Sequence, residues 1–231
     1  MPSAPQTARA AARAELTRAI LDRAGEQLAE TGPAALSVRA VARDLGMASS
    51  AVYRYFPSRD VLLTALLVEA YDDLGAAVEA GDGAARPRDL RGRWRGIAHA
   101  LRTWAHEHPH RYALAYGSPV PGYAAPGDTV QPATRVPFAL LGLVRDAQVT
   151  GRTPVQGLRV PAAEKASVAR VSAFTTPALT PAYTVRALMA WQTLFGAVSL
   201  ELFGHMAEAV LDPAAHYAQV VDQLAADLGL S

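Results

Sequence analysis

Apolar residues recur at three- and four-residue spacing in one stretch of this chain after another, and Pro and Gly clusters separate the stretches. The pattern predicts helices. Residues 37–63 read as two short helices joined at Gly46 and a third begun afresh after Pro57. In the first, Val38, Val41, Ala42 and Leu45 keep helical spacing behind Ser37, a residue suited to cap it; in the second, Ala51, Val52 and Phe56 face inward. A long helix follows from Ser58 to about Glu79, with Val61, Leu62, Ala65, Leu66 and Leu74 on its buried side, and Gly81-Asp82-Gly83 is expected to end it. Leu90 to His108 is the next helix, carrying Trp94, Ile97, Leu101 and Trp104, and another runs from Pro109 to Gly117. The breaker-rich stretch to Gly127 is a loop. Further helices are predicted at about 129–150, 162–174, 181–207 and 213–228; Thr180-Pro181 and Asp212-Pro213 mark two of the starts, each a capping residue before a proline at the first helical position.

The two short helices have helix-turn-helix geometry. Gly46 suits the left-handed backbone of a tight turn, and Ala42, four residues earlier, leaves room for a close crossing. The second helix is then free to enter a DNA major groove.

The run Gly46-Met-Ala-Ser-Ser-Ala-Val-Tyr-Arg-Tyr-Phe-Pro-Ser-Arg-Asp-Val-Leu-Leu63 resembles the signature of the tetracycline-repressor (TetR) family, and Ile20 to Gly32 is similar to that family's first helix. The match covers about residues 14–68. Ala48 departs from it, standing where the family usually has a hydroxyl residue that could cap the helix and touch a phosphate. Trp104, His108-Pro109, Tyr112 to Gly117 and Pro119 to Tyr123 resemble the effector domain of a TetR subgroup named for its Trp, His and Gly residues. The resemblance implies an all-α protein in which a three-helix DNA-binding domain, residues 1–60, is joined by a long helix to an effector-binding and dimerising bundle, residues 61–231. It implies a regulator of transcription, a homodimer that binds double-stranded operator DNA as a repressor and lets go when a small apolar or aromatic effector binds, with no catalysis and no cofactor. On that reading Arg39, Ser49, Ser50 and Tyr53 reach base edges, while Tyr55 and Arg59 hold phosphates.

Composition narrows the picture. The chain of 231 residues carries 51% hydrophobic and 19% charged residues and a net charge of only +1, so no global basic field draws it to nucleic acid. Residues 1–60 hold eight Arg against six acids, and Arg9 and Arg13 lie in an acid-free N-terminal arm with two readings, a disordered arm that grazes the DNA backbone and, the preferred one, a terminus that is simply solvated and frayed. The absence of cysteine excludes disulfides, thiolate metal sites and cysteine nucleophiles. Residues 1–5 lack the apolar run of a secretory signal, and the longest uncharged apolar run, Ala187 to Leu200, is too short to span a bilayer, which points to the cytoplasm. The Arg86 to Arg95 cluster reads as solvated surface, and no glycine-rich phosphate loop or Gly-x-Ser-x-Gly elbow is present.

His106 and His110 stand four apart, a spacing that chelates zinc on a continuous helix, and a metal-dependent enzyme is the rival class, beside a purely structural dimer. Pro109 argues against continuity. Aromatic residues fill cores by default, but a ligand-sensing bundle needs an apolar pocket with a few polar groups; Trp104, Tyr112, Tyr116, Phe138, Met189 and Gln192 are its candidate lining. The last two helices carry more apolar surface than one core needs. Phe195, Val198, Leu202, Tyr217, Val221 and Leu224 are the candidate dimer interface.

Overall fold

The computed structural model describes residues 4–155 and 159–230. Among the described residues every regular element is helical: α1 (Ala4–Thr31), α2 (Val38–Asp44), α3 (Ser49–Tyr53), α4 (Arg59–Gly83), α5 (Leu90–Glu107), α6 (Pro109–Tyr116), α7 (Val130–Ala133), α8 (Arg135–Val149), α9 (Ala162–Ser172), α10 (Pro181–Leu202) and α11 (Pro213–Asp227), with single 3-10 turns at Pro33–Ala35 and Gly127–Thr129. The fold is all-α, as the apolar spacing predicts. No described helix is long and apolar enough to cross a membrane.

The chain divides into two compact units, one running to Tyr71 and taking in His110–Val130, the other comprising Asp72–Pro109 and the chain from Gln131 onward. A boundary at residue 60 is therefore not where the contacts divide: Val120 is buried in the core of the first unit, with Leu114 and Tyr123 packed against it.

In the first unit, Ile20 and Ala24 of α1, Val41 and Ala42 of α2, Val52 of α3 and Leu62 and Leu63 of α4 are each wholly buried. Each large one contributes about 1.5–3 kcal/mol by leaving water. Local chemistry sets the ends of these helices. Ser37 Oγ accepts from the Ala40 amide at 3.4 Å, and the Ser37 amide donates to Oε1 of buried Gln27 at 2.9 Å, tying the start of α2 to α1. Gly46 takes φ 65, and the Met47 amide reaches back to the Ala42 carbonyl at 2.8 Å to close the interhelical turn. Ser58 Oγ accepts from Val61 N at 3.2 Å at the head of α4. Ala48 is the N-cap of α3 and offers it no side-chain bond. At the other end of the unit, α1 is not frayed over the arm: it is helical back to Ala4.

In the second unit, α10 packs against α5, α8, α9 and α11, and α11 against α5. Two buried hydrogen bonds fix α11 to α5: Trp94 Nε1 donates to the Val221 carbonyl at 2.8 Å and Tyr217 Oη to that of Ala98 at 2.9 Å. Thr180 and Asp212 cap α10 and α11 through Tyr183 N (3.4 Å) and Ala215 N (2.9 Å). Two predicted ends move. α4 runs through Gly81 and Asp82 to Gly83, because Gly81 lies against Gly96 of α5 at a close crossing and Asp82 binds Arg93 at 2.8 and 3.0 Å. α10 stops at Leu202 rather than 207, because Gly204 takes φ 80 and the His205 amide turns back to the Leu200 carbonyl at 2.9 Å.

Candidate nucleic-acid interface

The first unit presents α2 and α3 with their outward residues uncommitted. Arg39 of α2 and Ser50 and Tyr53 of α3 are exposed, and Ser49 is half-buried at the first turn of α3. Tyr55 lies just beyond α3, half-buried, with the Arg13 guanidinium 4.9 Å from its ring centroid. These side chains share the helix-turn-helix and its immediate neighbour α1. Arg59 is different: its Nη2 donates to the carbonyls of Pro33 (2.8 Å) and Ala34 (3.4 Å), and its Nη1 is 3.5 Å from the Asp60 carboxylate. Its guanidinium clasps the Pro33–Ala35 turn, so its geometry does not support the phosphate contact expected of it.

The arginines of this unit fall into two sets. Arg18 pairs with Asp22 and Glu69, Arg23 with Glu26, Glu30 and Asp44, Arg43 with Asp44, Arg59 with Asp60 and Arg111 with Glu69. The Arg23 guanidinium holds the Asp44 carboxyl below its ordinary range. Arg9, Arg13, Arg39 and Arg54 have no carboxylate partner among the described residues. All four lie on the N-terminal half of α1, on α2 or at the end of α3, and an exposed cation with no carboxylate beside it is free to take a phosphate. Sequence reasoning found Arg39, weighed Arg9 and Arg13 against the DNA backbone but preferred a solvated arm, and passed over Arg54; four-residue spacing on one helix was the signal available for the pair.

The second unit does not gather the expected pocket residues into one site. Trp104 is buried, its indole N–H has no acceptor among the described residues, and its ring sits 5.2 Å from that of His108. Tyr112 and Tyr116, their rings 5.3 Å apart, belong to the first unit, where Tyr116 also meets Tyr71 edge-on and burial pushes its hydroxyl pKa up. Met189 and Gln192 are exposed on α10. Phe138 lines an apolar cleft of about 160 Å³ between α8, α9 and α10, where it meets Phe174 edge-on at 5.5 Å, with Leu141, Leu188 and Trp191 alongside. Phe174 and Trp191 were not anticipated there.

His106 and His110 lie on different helices, since His108, at φ −129 and ψ 56, ends α5 before Pro109 begins α6. His106 Nε2 is 3.2 Å from Glu201, which also accepts from Arg102 Nε at 2.8 Å; Arg102 and then His106 hold the Glu201 carboxyl below its ordinary range. Among the described residues no three His, Asp or Glu side chains are placed to share a metal ion.

The expected interface is corrected in part. Phe195, Val198, Tyr217 and Val221 are buried inside their own unit, because the stripes that carry them face α5, α8 and each other, and a residue sealed within one chain is not available to a second. Leu202 and Leu224 are half-buried. The large apolar residues that α10 and its following turn turn outward are Met189, Leu200, Phe203 and Leu211.

Residues 20–66 match the family model described as bacterial regulatory proteins of the tetR family, and residues 94–224 match the tetracyclin repressor-like C-terminal domain. HTH-type transcriptional regulator Rv1816 of Mycobacterium tuberculosis is 40% identical over 209 residues, covering 87% of each chain. The crystal structure of regulatory protein SCO4313 superposes with a TM-score of 0.76 at 32% identity, covering 97% of this chain and 98% of its own, and a Rhodococcus protein of unknown function superposes with a TM-score of 0.67 at 26% identity, covering 91% and 95%. A helix-turn-helix with a bare cationic face, an all-helical second unit and both family matches agree, and the chain belongs to the TetR family of transcriptional regulators.

Proposed function

We propose that the chain is a homodimeric repressor that reads an operator through α2 and α3 and is released by a small apolar or aromatic effector. The observation that carries the DNA reading is the sorting of arginines within the first unit: there, those left without carboxylates are the ones on and beside the helix-turn-helix, with Ser50 and Tyr53 exposed between them to meet base edges. No catalytic step is needed. The cytoplasm, where operator DNA lies, is the compartment this reading requires.

Support for the dimer comes from the outward side of α10 and α11. A groove of about 320 Å³ runs between them, walled by Ala197, Leu200, Met206, Val210 and Val220. An apolar face of this kind suits a second copy, and a two-fold pair matches the two half-sites that helix-turn-helix dimers read. Support for an apolar effector comes from the cleft at Phe138, Phe174 and Trp191, which offers aromatic walls and almost no polar lining.

Selection of bound fragments from genomic DNA tests the reading. Recovery of a short inverted repeat, bound by two chains and released by an aromatic compound that quenches tryptophan fluorescence, is the expected result. Recovery of no preferred sequence would overturn operator binding, and binders that leave the protein–operator complex untouched would overturn release.

A further inference from the structure

We propose that the overhanging end of α1 and the end of α3 form a phosphate clamp, in which Arg9, Arg13 and Arg54 grip the DNA backbone beside the bases that α3 reads. The face of α1 that buries Ile20, Ala24 and Leu28 continues N-terminally at the same spacing to Leu16, Arg13 and Arg9. Beyond the core, the positions that should be apolar become arginine. Helical spacing keeps these two side chains on the inward face of α1, where they overhang Ala51 and Arg54 and enclose a groove of about 350 Å³.

Three further observations point to an anion there. No carboxylate lines the groove, and none of the three arginines has a carboxylate partner among the described residues. The Arg13 guanidinium rests 4.9 Å from the Tyr55 ring centroid, which restrains the side chain without neutralising its charge. The floor, Leu16 and Ala51, belongs to the helices that frame the helix-turn-helix, so the groove is fixed with respect to α3. Duplex DNA held against α3 carries its own row of phosphates past this position, which fits a linear set of guanidinium groups better than a compact anion does. The clamp gives affinity without sequence information and lengthens the footprint beyond the bases α3 touches.

The proposal rests on α3 being the helix that enters the major groove, and the test separates the two. Binding of a labelled random-sequence duplex of about three helical turns is measured against salt concentration for wild type, the double variant R9A/R13A and the control R86A/R88A, which removes two exposed arginines from the other unit. Each phosphate contact contributes about 0.9 to the slope of log K against log salt, so R9A/R13A flattens it by about two while R86A/R88A leaves it in place. Circular dichroism of both variants should match wild type, since all four residues are exposed. An unaltered slope for R9A/R13A, or equal flattening in both doubles, overturns the clamp and leaves the reading of α3 standing. Wild-type protein that ignores duplex DNA overturns both.

Discussion

Gly81 of α4 and Gly96 of α5 meet backbone to backbone, so that a Cβ on either would run into the main-chain carbonyl of the other. Neither glycine is there to turn the chain. Their value is that two helices of the second unit cross at a distance no side chain permits, which brings Asp82 within reach of Arg93 and, through Arg93, of Asp146 at 2.8 Å.

Gly81→Ala or Gly96→Ala should therefore destabilise this unit by about 1–3 kcal/mol, the usual cost of overpacking a tight contact. Thermal unfolding followed by circular dichroism measures it. Gly83→Ala, where a Cβ meets nothing within 4 Å, is the matched control and should cost much less.

Arg59→Ala should lower the stability of the first unit by about 1 kcal/mol or more, because two carbonyls of the Pro33–Ala35 turn lose a charged donor. The salt dependence of DNA binding should stay as it is. Arg39→Ala, in contrast, should leave stability alone and weaken binding by about 1–3 kcal/mol while relaxing preference at one operator position. Urea midpoints and titrations of mutated operators tell the two apart; a salt slope that flattens in Arg59→Ala would return that residue to the phosphates.

Much of the first unit was legible because its signals are local. Ser37, Gly46 and Ser58, like Thr180 and Asp212 later, announce helix ends through chemistry confined to a few neighbouring residues. Arg59 was not legible: its donors chose between a phosphate and the carbonyls at Pro33 and Ala34, and only the fold brings those carbonyls close. Gly81 misled for the same reason, since a glycine that stops a helix and one that admits a neighbour look alike in sequence. The apolar stripe holding Phe195 and Val198 announced burial correctly but not whose atoms would cover it.

That last ambiguity has a direct test. Leu200→Arg or Val220→Arg, on the groove side of α10 and α11, should yield folded monomers in light scattering. Phe195→Arg should instead unfold its own unit, because a charge would enter a site only 8% exposed. Dimers that persist in Leu200→Arg and Val220→Arg alike would place the interface elsewhere.

The Glu201 site makes stability depend on pH in a predictable direction. Arg102 and His106 depress the folded-state pKa of this carboxyl below its unfolded value, so the contribution is present above the ordinary carboxylate range and is lost as pH falls through the folded pKa. Urea denaturation across an acidic pH series should show the second unit weakening, and Glu201→Gln should be less stable at neutral pH with a flatter acid limb. A variant whose acid limb matches wild type would remove Glu201 from the balance.

The partition of arginines has a consequence for how this molecule finds its site. With a net charge of only +1, the protein has almost no monopole to draw it toward polyanions at large. The field of the first unit is instead directional, because its carboxylates pair with Arg18, Arg23, Arg43, Arg59 and Arg111 and leave Arg9, Arg13, Arg39 and Arg54 on and beside the helix-turn-helix. Such a charge distribution exerts a torque on approach rather than a bulk pull, so collisions in the wrong orientation are brief and those in the right one are retained. Selectivity for nucleic acid then begins before any base is touched, in the way the molecule turns as it arrives.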